Sequence, residues 1–394
     1  MANALGWRTI PIELLGRPSG PTRAPRLDAA IDPLESARVQ ALRGIACLLL
    51  VAFHAIGATA ASGLHVADDS PWREFTNLVV HLRMPLFTFL SGFVYALRPL
   101  GPERAGEFSG KKLRRLGVPL IVASTVLYGL HAAMHHPVPP LSHLWTIYVF
   151  PYWHLWFVQA LLVVFVLLVM LEALGALSTF TRFTLVLALA VALYFVAPFQ
   201  TRNVLSVYSA TYLLPFFLCG VGAHRFRALL QSRRALFAAA LCLLLAQGFH
   251  SYVVLTRTLV PIEPVDQRSV LNLVIGVSAG LCALQLLPRA PVMELIGGSS
   301  YAIYLYHPLF VAAVLFLAGA YATTARGLTF AAAASAGIVG PILMQRVAGR
   351  VPGGRLLLEG RAADGRYQSG GLRVVGAPVP AGLRGSGSAG PRRG

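Results

Sequence analysis

Two residues of the first apolar stretch, Arg43 and His54, have side chains that can bind an anion and move a proton. They are eleven residues apart, which on an α-helix is three turns plus about 20°, so both side chains lie on one face. The rise of about 16.5 Å places Arg43 at one membrane edge and His54 near mid-membrane. The cation suits a phosphate-bearing ligand, and the imidazole suits a general base. The alternative is an arginine that snorkels and a histidine that bonds to a neighbouring helix.

A second polar group lies in the next apolar stretch, which contains His81 and Arg83. If the first two stretches form antiparallel helices, either His81 or Arg83 lies at the level of His54. An arginine at that depth requires a partner, such as an anionic substrate, backbone carbonyls or water. The alternative is an arginine that only ties helices together.

Tyrosine and histidine recur at helical spacing in the segment 297–310. Tyr301, Tyr304 and His307 follow one another at intervals of three residues, so a helix places them on neighbouring positions of one face. A polar stripe in an apolar helix indicates a lined cavity. His307 is predicted to lie close to the membrane depth of His54.

Further histidines lie near tryptophan and tyrosine residues. His154 and Trp156 either belong to an aromatic belt at the outer interface or face a polar substrate, since Trp rings also stack on sugars. His131, His135 and His136 do not make a complete ligand set, and the sequence predicts no metal site.

A basic cluster contains Lys111, Lys112, Arg114 and Arg115, in a predicted loop at 108–119. Charge alone favours a cluster that marks the cytoplasmic side, as in many membrane proteins. The functional alternative is a cytoplasmic phosphate site for a nucleotide-like ligand.

Composition identifies the elements that must position these residues. Of 394 residues, 56% are hydrophobic and only 12% are charged, with a mean hydropathy of +0.66, whereas a soluble domain carries about a quarter charged residues. These values exclude a soluble globular enzyme, a disordered protein and a disulfide scaffold. They indicate an all-α, polytopic membrane protein.

Ten apolar stretches are long enough to be candidate transmembrane helices. Of the 33 Lys and Arg residues, 26 lie on one side of these stretches, which predicts cytoplasmic termini by the positive-inside rule. We therefore attribute the net charge of +18 to the Lys and Arg residues that set the membrane topology, and nucleic-acid binding is not predicted. The stretches are 41–60, 76–97, 116–134, 153–172, 183–198, 206–223, 235–255, 269–287, 298–318 and 327–345.

The transmembrane domain is predicted over 40–349, between two cytoplasmic segments. The segment 1–39 is rich in Arg and Pro. The segment 350–394 is rich in Gly, Arg and Pro, which predicts a flexible tail that contacts anionic lipid head groups.

Four segments together resemble the acyltransferase-3 family of integral-membrane acyltransferases, in its order and spacing. The resemblance covers about residues 38–350 and is closest to the exopolysaccharide branch, although Gln40 and Ala41 stand where many members have Asp. The segments are QALRGIACLLLVAFH (40–54), RMPLFTFLSGF (83–93), KKLRRLGVP (111–119) and GSSYAIYLYHP (298–308).

The resemblance implies transfer of an acyl group, often acetyl, from a cytoplasmic acyl-CoA to a hydroxyl of a carbohydrate or glycolipid. It implies that Arg43 and His54 are the essential pair and that Lys112 and Arg115 contact the CoA. Arg114 and Ser91 are grouped with the CoA-binding residues. Arg83, Tyr304, His307, His154 and Trp156 are predicted to contact or support the substrate.

The sequence therefore predicts a multi-pass O-acyltransferase of the bacterial inner membrane, which acts in polysaccharide O-acetylation beside glycan-synthesis machinery. His54 acts as the base or carries the acyl group briefly. A transporter or flippase of a polar glycan or lipid is the alternative, and an assembly factor is a third. The ten stretches contain no Asp and a single Glu, Glu172, which argues against ion-coupled transport.

Overall fold

The computed structural model describes residues 32–97, 105–134, 136–196, 203–256, 267–319 and 324–361. Within these ranges the chain forms α-helices and short 3-10 turns, and none of these residues lies in a β-strand. The long helices are α1 (Pro33–Ile56), α3 (Val80–Ala96), α4 (Ala105–Ala133), α6 (Trp156–Ala173), α7 (Phe180–Val196), α8 (Val207–Arg225), α10 (Arg233–Thr256), α11 (Val270–Leu286), α13 (Ser300–Ala318) and α14 (Arg326–Ala348). The short helices are α2 (Pro71–Leu78), α5 (Thr146–Val149), α9 (Arg227–Leu230), α12 (Pro291–Gly298) and α15 (Gly354–Glu359).

Eight helical segments of the described chain are long and apolar enough to cross a membrane. Two shorter apolar helices, α7 and α11, coincide with two further predicted stretches. The all-α, polytopic architecture is therefore confirmed, while the total of ten spans and the side on which the termini lie stay predictions.

The basic cluster is helical, and the predicted loop at 108–119 is wrong. Residues Lys111–Arg115 lie in the first turns of α4, which continues through Pro119. Lys, Leu and Arg are good helix formers. The carbonyl of Arg115, which loses its helical partner because Pro119 has no N–H, belongs to an exposed residue. The helix therefore tolerates this proline.

The flexible tail does not begin at residue 350 as predicted. Residues Gly354–Glu359 form α15, which packs against α4 and α14. Glu359 is buried, accepts a hydrogen bond from Gln345 and pairs with Arg361 at 3.2 Å. This buried carboxylate gives the segment a fixed position that its Gly- and Arg-rich composition does not reveal. The remainder of the predicted tail, 362–394, lies outside the described residues.

Glycines set the closest helix crossings. A Cβ atom at Gly92 of α3 would collide with the backbone carbonyl of Phe217 in α8, and one at Gly220 of α8 with that of Phe89 in α3. Small residues allow this approach of two apolar helices inside a membrane. Gly44 of α1 meets α12 in the same way. Because α1 also packs on α3 and α13, the helix that carries Arg43 and His54 is held from several sides.

Candidate active site

Two cavities meet at the side chain of Tyr304 in α13. The smaller has a volume of about 200 Å³ and is lined by Arg43, and the larger has a volume of about 980 Å³ and is lined by His54. Tyr304 lines both cavities. Arg43 and His54, which the sequence predicts on one face of α1, thus line two separate cavities that share Tyr304.

The smaller cavity is cationic. Arg43 and Lys112 line it, and no carboxylate of the described residues does. Arg43 has no hydrogen bond or ion pair with any described residue, and the Lys112 ammonium lies 4.0 Å from the centroid of the Phe165 ring. Ser91 also lines the cavity, and its hydroxyl donates to the carbonyl of Phe87 at 2.8 Å. The arrangement suits an anionic group such as a phosphate.

Only part of the basic cluster reaches this cavity. Lys112 faces it, whereas Arg114 and Arg115 are exposed and do not line it. Arg115, which the resemblance pairs with Lys112 as a CoA contact, thus lies outside this cavity, and the CoA-binding roles of Arg114 and Arg115 stay predictions. The cause is the rotation of α4, which turns only one position of the cluster toward Phe165.

Three histidines cluster beside the larger cavity: His54 and His154 line it, and His307 is buried behind them. The ring centroid of His54 lies 4.8 Å from that of His307 and 5.8 Å from that of His154. The rings of His154 and His307 are 5.3 Å apart. The sequence identified all three, but only the fold brings α1, α13 and the turn before α6 together. Within the described ranges no three His, Cys, Asp or Glu side chains are arranged to hold a metal ion.

Backbone carbonyls hold two of these rings. Nδ1 of His307 donates to the carbonyls of Ile303 at 2.8 Å and Tyr304 at 3.0 Å. Nε2 of His154 donates to the carbonyl of Leu305 at 3.2 Å, and the Tyr304 hydroxyl donates to the carbonyl of His154. His54 makes no hydrogen bond with a described residue, so its nitrogens are available to a ligand or to a neighbouring ring.

Arg83, and not His81, reaches the level of His54. Its guanidinium lies 3.8 Å from the centroid of the Phe53 ring, the side chain is 7% exposed, and its Nε has no hydrogen-bond partner among the described residues. His81, two residues earlier, points away to Asn272 at 3.0 Å and to His250. Arg83 therefore supplies a buried positive charge beside the histidines without a neutralising carboxylate in the described part of the cavity.

Aromatic side chains form the rim of the larger cavity. Trp156 lines it, as does Trp153, which is 58% exposed and packs against His131 in a tilted arrangement with ring centroids 4.2 Å apart. Trp153 has a φ of +48°, an uncommon conformation for a bulky residue and often a sign of functional strain. The sequence reasoning missed Trp153 and His65, which also lines the cavity. The only signal for Trp153 is its position next to His154.

Comparison with known proteins identifies the family. Neither a curated protein nor a solved structure matches this chain. The family described as an acyltransferase domain, acyltransferase-3, matches residues 36–346, a range that includes every residue that lines the two cavities. The chain therefore belongs to the acyltransferase-3 family and is an integral-membrane acyltransferase.

Proposed function

We propose that the protein is an O-acyltransferase of the bacterial inner membrane that moves an acetyl group from acetyl-CoA to a hydroxyl of a cell-surface carbohydrate or glycolipid. The observation that carries the proposal is the pair of cavities that share Tyr304. The smaller cavity offers cations that can bind an anionic acyl donor. The larger cavity offers imidazoles and an arginine that can carry out acyl transfer.

The smaller cavity fits the phosphates of CoA. Arg43 and Lys112 supply two cations there, and phosphate oxygens are their preferred partners. The helical rise from Arg43 to His54 is about 16.5 Å, a distance that an extended pantetheine arm can span. Phosphates held at Arg43 thus allow the thioester to pass Tyr304 and reach the histidines.

The transfer needs one base and one donor for the oxyanion. His54 takes the proton of the acceptor hydroxyl, and the oxygen of that hydroxyl attacks the thioester carbonyl. The attack gives a tetrahedral oxyanion. The oxyanion collapses and expels the CoA thiolate, which takes the proton back from His54. The products are the O-acetyl ester and free CoA thiol. Arg83 is the better oxyanion donor, because its Nε has no partner in the described structure while the Tyr304 hydroxyl already bonds to the carbonyl of His154.

The larger cavity favours a carbohydrate acceptor. Trp153 and Trp156 line it, and indole rings can stack on the apolar face of a pyranose. His65 and His131 add polar groups to the lining of the same cavity. A membrane location would let the acceptor arrive from glycan-synthesis machinery, either free or linked to a lipid.

The test is transfer of label by the purified protein in lipid nanodiscs. It is supplied with [14C]acetyl-CoA and a glycan and glycolipid extract of bacterial membranes. We expect label in the extract as an alkali-labile ester, with an equal amount of CoA thiol released. His54→Ala should lower kcat by about 10²–10⁴-fold, the usual contribution of a general base.

The control is His250→Gln, since His250 is buried, bonds to the carbonyl of Asn77 and lines neither cavity. This variant should keep its activity. Binding or movement of extract components without thiol release or labelled ester would contradict the proposal and favour a transporter or flippase.

A further inference from the structure

His307 is held in one orientation by two backbone carbonyls, one of which lacks its helical donor because of a proline. Pro308 has no N–H, so the carbonyl of Tyr304, four residues earlier, lacks its usual helical donor. Nδ1 of His307 lies 3.0 Å from that carbonyl and 2.8 Å from the carbonyl of Ile303. Carbonyl oxygens only accept hydrogen bonds, so Nδ1 of His307 carries the hydrogen.

The other nitrogen of a neutral His307 is therefore a lone-pair acceptor. The side chain is fully buried at 0% exposure, and Nε2 has no hydrogen-bond partner among the described residues. A buried acceptor without a donor is unfavourable. The site thus calls for a donor from a neighbouring group.

Two imidazole rings pack against His307, and only one can be that donor. Nε2 of His154 already donates to the carbonyl of Leu305, so the second nitrogen of a neutral His154 has no hydrogen to offer. His54, with its ring centroid 4.8 Å away, makes no hydrogen bond with a described residue. At a centroid separation of 4.8 Å, a His54 ring turned toward His307 can place its N–H within hydrogen-bonding distance of Nε2 of His307.

We infer that His307 is the positioning residue of His54: its Nε2 accepts the N–H of His54 and leaves the other nitrogen of His54 as a lone pair toward the acceptor hydroxyl. The inference rests on the proposed function of His54 as the base. In many enzymes a carboxylate orients the catalytic histidine. No carboxylate of the described residues lines this cavity, and a second histidine, held by two backbone carbonyls, takes that role.

The pair also accounts for the protonated state of His54 during transfer. When His54 takes the acceptor proton, its other N–H remains bonded to Nε2 of His307. The remaining groups around His54 are His154 and the cation Arg83. Arg83 can only donate, and the acceptor nitrogen of His154 belongs to a ring 5.8 Å from His54, so the ring of His307, at 4.8 Å, is the nearer acceptor for the imidazolium.

The test compares the activities of two variants of His307. A positioning role and a packing role predict opposite orders of activity for them. In His307→Gln the side-chain oxygen can accept from His54, whereas in His307→Leu no acceptor remains. We expect His307→Gln to retain kcat within about tenfold of the wild type and His307→Leu to lose about 10²-fold or more. The KM for acetyl-CoA should be unchanged in both, because the smaller cavity is not altered.

A packing role gives the reverse order, since a buried amide without full partners is less favourable than an apolar side chain. Leucine more active than glutamine would therefore overturn the inference. His250→Gln and His250→Leu are the matched controls for a buried histidine outside the cavities. Equal loss in both His307 variants, down to the level of His54→Ala, would make His307 the base itself and would also overturn it.

A measurement without activity separates this inference from the proposed function. Solid-state ¹⁵N NMR of histidine-labelled protein, with the His307→Gln spectrum subtracted, should report a hydrogen on Nδ1 and none on Nε2 of His307. The opposite tautomer would overturn the inference even in an active enzyme. A protein that shows the expected tautomer and transfers no acetyl group would contradict only the proposed function.

Discussion

Lys112 and Arg114 belong to the same basic cluster but have different surroundings, which makes them a matched pair. Lys112 lines the smaller cavity, and Arg114 is exposed and outside it. A charge-assisted hydrogen bond to a phosphate contributes about 1.5–3 kcal/mol. We therefore expect Lys112→Ala to raise the KM for acetyl-CoA by about 10- to 100-fold, with a smaller change in kcat.

Steady-state release of CoA thiol measures this effect. Arg114→Ala should leave the KM within about twofold, since exposed charges contribute little. An increase of the same size in both variants would mean that the cluster acts through long-range attraction of CoA. An unchanged KM in Lys112→Ala would remove the residue from the donor site.

At the scale of residues, the spacing of side chains within one helix was a reliable guide to which of them share a face. The intervals between Arg43 and His54 and between Tyr304 and His307 predicted which side chains share a face, and both pairs lie at the cavities or the histidine cluster. The choice between His81 and Arg83 was left open, because it depends on how α3 is rotated against α1. The same limit applies to Arg115, since spacing does not reveal which turn of α4 faces its neighbours.

At the scale of elements, the crossing of α3 and α8 depends on two glycines. A Cβ at Gly220 would meet the backbone of Phe89, which cannot move as a side chain would. We expect Gly220→Ala to force the helices apart and to lower the stability by about 1–3 kcal/mol, the usual cost of overpacking. The measurement is the thermal unfolding midpoint of purified protein in detergent.

Gly129→Ala is the control for this crossing. Gly129 lies within α4, and a Cβ there would have no atom of the described structure within 4 Å. Alanine favours a helix over glycine by about 1 kcal/mol, so the midpoint of this variant should stay the same or rise. Equal midpoints for Gly220→Ala and the wild type would show that α3 and α8 do not approach this closely.

Hydropathy predicted where helices occur but not where they begin, break or continue. The second predicted stretch, 76–97, is two helices that meet at Val79. The basic segment Lys111–Arg115 is helical although it is not apolar, because turns of α4 that are exposed to water can consist of charged residues. Helix α15 forms outside any apolar stretch because Glu359 finds partners in Gln345 and Arg361. Polar contacts of this kind leave no periodic signal in the sequence.

At the scale of the whole molecule, the two cavities occupy opposite halves of the bundle. Along α1, Arg43 of the smaller cavity precedes His54 of the larger one, and along α13, Tyr301 precedes Val311 in the same order. Helix α3 has the reverse order, with Arg83 before Ser91, as expected for a helix antiparallel to α1. The proposed donor and acceptor sites are therefore separated along the direction in which these helices run.

This separation, together with the predicted cytoplasmic N-terminus, gives an expectation for the whole enzyme in its membrane. The smaller cavity then opens toward the cytoplasm, where acyl-CoA is made, and the larger one toward the outer face. Because CoA is highly charged and does not cross a bilayer, only vesicles that expose the cytoplasmic face should consume added acetyl-CoA. Inside-out vesicles should release CoA thiol, and right-side-out vesicles should do so only after detergent opens them.

The control for this experiment is inside-out vesicles that contain the His54→Ala variant, which give the background release of CoA thiol. Equal consumption by intact vesicles of both orientations would contradict the separation, and consumption by right-side-out vesicles alone would reverse the predicted topology.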